Sequence, residues 1–149
     1  MAIEFNKEQY KELVHSLQVA ETIYALLRDM VDRKKYDKKL KQIEDLSEYT
    51  LKLANDYGMS NITEDFEGKK VVSEKYLDEI MDDLREYDDY AFWEELARRF
   101  ARKEIFNTYS EEQIRNMDEK ELICKQIEIE DKYWKEFEKY GIDHLEIKR

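Results

Sequence analysis

The chain has 149 residues, with 26 Lys and Arg against 37 Asp and Glu, a formal net charge of −11, three Gly and no Pro. The charged fraction of 42% leans toward disorder, but 11 Tyr, 6 Phe, 2 Trp and regularly spaced Leu and Ile supply the apolar surface a core needs. So little Gly and Pro excludes Pro-rich linkers and collagen-like repeats and argues against a turn-rich sandwich or barrel, a single Cys excludes an internal disulfide, and no stretch approaches the ~20 apolar residues of a membrane span.

Asn6 with Gln9 reads as a capping box and starts a first helix near Lys7. Its apolar positions, Leu13, Leu17, Ala20, Tyr24, Leu27 and Val31, alternate four and three apart, the seam of a helix packed lengthwise on another. The pattern dissolves in the charged run Arg33 to Lys35. A second seam runs through Tyr36, Leu40, Ile43, Ser47, Thr50, Ala54 and Tyr57 and ends at Gly58, a left-handed cap. The short link predicts an antiparallel helical hairpin.

Residues 59–72 lose the helical period and read as a loop with a short strand at Lys70 to Val72. Ser73 is placed to cap a third helix carrying Leu77, Ile80, Leu84, Tyr87 and Ala91. With no Gly or Pro before Asn107, that helix is expected to bend near Asp88 and Asp89 and run on. Phe92, Trp93, Leu96, Ala97, Phe100 and Ala101 then form an inward face. Ser110 opens a short helical turn, and Asp118 with Glu121 opens a last helix with the face Leu122, Ile123, Ile127, Tyr133, Trp134 and Phe137, stopped by Gly141. The expected fold is all-α: one domain over 1–149, an antiparallel bundle of four main helices plus a short extra helix, with a minor two-stranded element from 59–72 and the C-terminal tail.

Chemistry has few footholds. Wheel arithmetic turns Glu104 and Glu130 inward, and a buried carboxylate needs a cation, a hydroxyl, a metal or water. Facing-helix carboxylates with Glu-x-x-His pairs would suit a di-metal bundle, but only Glu12 to His15 fits that spacing where two copies are needed. The ordinary reading gives Glu104 and Glu130 Arg or Tyr partners, leaves His15 on the surface beside Val19, and expects no cofactor. Cys124 lacks any activating motif, and no glycine-rich phosphate loop can be written.

Charge is more informative. Asp78, Glu79, Asp82, Asp83 and Glu86 share one side of the third helix, a ridge ~18 Å long that Asp88 and Asp89 extend. It serves either as a solvated face or as a surface for a basic partner, imitating a phosphate backbone. Arg33, Lys34, Lys35, Lys38, Lys39 and Lys41 gather at the first helical junction, yet the overall negative charge argues against direct nucleic-acid binding. Trp93, Phe100 and Trp134 read as core, and Tyr90, Tyr109 and Tyr140 as partner-facing phenols.

The segment from Tyr87 to Glu104, YDDYAFWEELARRFARKE, resembles stretches in small, acidic, helical bacterial proteins with no assigned activity. The resemblance implies a bacterial protein of that kind and carries no catalytic residue over. The first 30 residues lack a basic start followed by a continuous apolar stretch, which favours a cytoplasmic location. The expected function is a non-catalytic interaction module, because the first two seams expose more apolar surface than a small bundle covers, favouring a homodimer or a partner helix. An acidic inhibitor or nucleic-acid mimic comes second, and a carboxylate metal enzyme third.

Overall fold

The computed structural model describes residues 4–146. The fold is all-α, a helical bundle with one small antiparallel sheet, and the chain divides into two compact units, one up to Arg85 and one from Glu86 onward.

In the first unit, α1 (Lys7–Met30) and α2 (Arg33–Lys52) form the expected hairpin. The capping box is complete: Gln9 N–H donates to Asn6 Oδ1 at 2.8 Å, and Asn6 N–H donates to Gln9 Oε1 at 3.0 Å. Asp32, one of two residues between the helices, caps α2 by accepting from Lys35 N–H at 3.0 Å. The α2 seam points inward as its spacing predicts, with Leu40, Ser47, Thr50 and Ala54 buried. The α-helix itself stops at Lys52 rather than Gly58. Successive turns cover the gap, closed by Gly58 N–H to Asn55 C=O and Met59 N–H to Ala54 C=O, with Gly58 at φ +64°. That pairing is a Schellman cap, so the glycine ends the spiral one and a half turns after the regular helix has ended.

A three-residue 3₁₀ turn (Ser60–Ile62) leads into β1 (Thr63–Phe66) and β2 (Lys69–Val72), paired antiparallel with Thr63 opposite Val72 and Phe66 opposite Lys69. The two-residue turn has φ +48° at Glu67 and +78° at Gly68, the left-handed pair of a type I′ hairpin. The partner of the expected strand is therefore its own neighbour, not the C-terminal tail. The tail forms turns over Gly141 to His144, and 147–149 lie outside the described residues. A hairpin needs only a turn, whereas a tail pairing must close a loop of some seventy residues.

α3 (Glu74–Thr108) is one helix of 35 residues spanning both units. At its start the Ser73 C=O accepts from Leu77 N–H at 2.9 Å, while the Ser73 hydroxyl donates to Asn61 C=O at 3.4 Å and its N–H to Ile62 C=O at 2.8 Å, tying the helix start to the 3₁₀ turn. Tyr76, Ile80 and Leu84 are buried against Tyr10, Val14, Met59, Ile62 and Val72, while Leu77 and Tyr87 face outward. Tyr76 takes the inward position expected of Leu77, and its phenol donates to Lys11 C=O at 3.2 Å.

The second unit holds the rest of α3, the short α4 (Glu111–Asn116) and α5 (Glu119–Tyr140). Rings join α3 to α5: Phe100 lies 5.1 Å from Tyr133 and 5.9 Å from Phe137, and Trp93 lies 5.5 Å from Phe137. Of the expected inward residues, Ala97 and Ala101 are buried, Trp93, Phe100 and Trp134 are half-buried, and Phe92, Ile123 and Ile127 are exposed. The contacts of Tyr133 and Phe137 rotate the covered stripe of α5 toward Leu122 and Ile129, so the two isoleucines fall outside it.

Candidate interaction surface

Four helical positions on α1, Val19, Ile23, Leu26 and Met30, repeat four, three and four apart. They form a second stripe about 110° around the helix from the seam that meets α2, at ~100° per residue. Val19 packs on the core, but Ile23, Leu26 and Met30 are 38%, 54% and 79% exposed, and the cap residue Val31 is 68% exposed. A soluble helix exposing apolar residues in register, rather than singly, offers a seam for another helix. The spacing of this stripe is as regular as that of the seam through Leu13, Leu17, Ala20, Tyr24 and Leu27.

Arg33, Lys34, Lys35, Lys38, Lys39 and Lys41 are all exposed at the start of α2, next along the chain. Lys39 Nζ stands 5.9 Å from the Tyr24 ring and 5.7 Å from the Tyr36 ring, and Lys35 stands 4.9 Å from Tyr36. These cation–π contacts hold ammonium groups at the hairpin end. Along the chain the exposed stripe of α1 is followed directly by this basic cluster.

The acidic residues singled out on α3, Asp78, Glu79, Asp82, Asp83 and Glu86, are all exposed. Three have partners in the chain. Glu79 meets Lys11 at 3.7 Å, Asp83 meets His15 Nε2 at 3.0 Å, and Asp82 pairs with Arg85. His15 is thus no bystander beside Val19; it is half-buried, edge-on to Tyr76, and joins α1 to α3. Among the described residues, Asp78, Asp82 and Glu86 form the part of the ridge with no ion pair to α1. Tyr90 is 55% exposed and stacks on Trp134 at 5.9 Å.

Glu104 and Glu130 are half-buried. Glu104 accepts from Lys132 Nζ at 2.8 and 3.0 Å and from the Tyr133 hydroxyl at 2.7 Å. The Lys132 bond first, then the Tyr133 bond, hold its carboxyl below the usual glutamate range. Burial and that same bond push the Tyr133 phenol up to about 12. Lys132 therefore reaches across to α3 instead of pairing with Glu128 one turn away. Glu130 accepts from Gln126 Nε2 at 2.6 Å.

Glu12 is exposed in the first unit with His15, whereas Glu104 and Glu130 belong to the second. Among the described residues no group of three or more His, Cys, Asp or Glu is placed to hold a metal ion, and no helix is long and apolar enough to cross a membrane. Cys124 is exposed and free. Comparisons of the chain with protein-family models, with curated proteins and with solved structures find no match.

Proposed function

We propose that this chain is a non-catalytic protein–protein interaction module whose outer α1 stripe and neighbouring basic cluster receive an acidic helix, in the first instance α3 of a second copy. The carrying observation is the registered exposure of Ile23, Leu26 and Met30 on a helix followed along the chain by six exposed cations. Apolar contact supplies the affinity, and opposite charge supplies orientation and salt dependence.

Sedimentation velocity at low and high salt tests this. Wild-type chain is expected to associate with rising concentration, more weakly at high salt, and Leu26→Glu with Met30→Glu to remain monomeric with unchanged circular dichroism. Both side chains are largely exposed, so the folded monomer tolerates the change. A wild-type chain that is monomeric at every concentration overturns the self-association, as does a variant that associates equally well.

The exposure of all five ridge carboxylates supports a second reading, an acidic inhibitor or nucleic-acid mimic acting through α3. Asp78→Asn with Asp82→Asn and Glu86→Gln removes three of its five charges while keeping the Lys11–Glu79 and His15–Asp83 contacts. Competition by wild-type chain for a basic nucleic-acid-binding protein, lost in that variant, is the expected result.

A further inference from the structure

In the second unit a cleft of about 400 Å³ opens between α3 and α5, lined by Asp89, Trp93, Trp134, Phe137 and Glu138. Each helix contributes one indole and one carboxylate a single turn apart, Asp89 with Trp93 on α3 and Trp134 with Glu138 on α5. Phe137, 4% exposed, gives the site a dry base, and its ring lies 5.5 Å from that of Trp93. Tyr90 stacks on Trp134 at 5.9 Å. The Trp93 Nε1–H donates to Asp89 Oδ1 at 3.2 Å, which fixes the indole plane.

The electrostatics are one-sided. Both charged residues of the lining are carboxylates, both are exposed, and neither forms an ion pair among the described residues. Aromatic faces present the negative side of their quadrupoles, so rings and carboxylates favour the same sign of ligand. An anion is repelled. A hard divalent cation needs six or more oxygens, and two carboxylates set among indoles do not provide them. An uncharged apolar ligand would gain ring contact but no charge attraction. A large, weakly hydrated organic cation gains from both, since its alkyl groups pack on the rings while its charge is spread over them.

We propose that this cleft is an aromatic cage for an alkylated ammonium group, carried either by a free quaternary amine or by a methylated lysine side chain. The inference is independent of the association through α1.

The chain contains two Trp and both line the cage, so intrinsic fluorescence reads the site directly. The probes are choline, its uncharged isostere 3,3-dimethylbutan-1-ol, and a trimethyl-lysine peptide beside its unmodified form. Choline or the trimethylated peptide is expected to shift the emission saturably, about tenfold tighter than the isostere or the unmodified peptide respectively. Response to choline identifies a free amine, and response to the peptide alone identifies a protein side chain. Trp134→Leu is expected to abolish binding. Because that change touches packing, Asp89→Asn with Glu138→Gln, both at exposed positions, is the second variant and is expected to weaken binding about three- to tenfold. No saturable shift with either cation, or an equal response to the uncharged isostere, overturns the proposal.

Discussion

Tyr10 shows how one buried phenol ties three parts of the first unit together. It is 1% exposed, its hydroxyl donates to Thr50 C=O at 2.7 Å, and its ring stacks on Tyr57 at 4.3 Å. Burial first, then the nearby Tyr57 and Asp56, push its pKa up to about 12, and burial with Glu12, Glu79 and Asp83 does the same to Tyr76. An unfolded tyrosine loses its proton near pH 10. Between pH 10 and 12 the unfolded chain therefore holds fewer protons than the folded one, and stability falls as pH rises. Tyr10→Phe is expected to lower stability by about 1 kcal/mol at neutral pH, through the lost hydrogen bond, and to flatten the alkaline decline. Urea unfolding midpoints from neutral pH to about pH 11.5 check both effects. An identical alkaline slope in the variant would show that this phenol ionises as freely folded as unfolded.

At the scale of elements, local chemistry was legible and long-range partnership was not. Asn6 and Gln9, Ser110 and Gly141 act where the sequence places them, because caps and stops involve residues a few positions apart. The inward lean of Glu104 could be read from its spacing behind Phe100. Its partners Lys132 and Tyr133, 28 and 29 residues away, could not, since neither helix alone encodes the register between them. The β1–β2 hairpin escaped for a further reason: Glu67 occupies a left-handed turn position at φ +48° that Asn or Gly fills more readily, so the usual turn signature is missing. Glu67→Asn is accordingly expected to raise stability by about 0.5–1 kcal/mol by relieving that conformation. A thermal unfolding scan reads the gain, and an unchanged or lowered midpoint would mean that Glu67 earns its place through contacts in the turn.

At the scale of the molecule, α3 carries two cores with different backing along its length. Tyr76, Ile80 and Leu84 are buried in the first unit and Ala97, Ala101 and Ile105 in the second, whereas every residue from Arg85 to Tyr90 is exposed. A helical stretch without a covered face depends on its own propensity and side-chain pairs. Here the pairs that reach the stretch oppose it: Asp82 with Glu86 and Glu86 with Asp89 are like charges about one turn apart. Arg85, bonded to Asp82, offsets part of that repulsion. Local opening at 86–90 should therefore require less free energy than opening either core, so hydrogen exchange there is expected to run ~10–100-fold faster than at Ala97 to Ile105. Added salt should narrow the difference by screening the carboxylates without changing the packing. Native-state exchange resolved by residue makes the measurement; uniform protection along α3, or a contrast indifferent to salt, would mean that something other than this charge pattern governs the helix between its two cores.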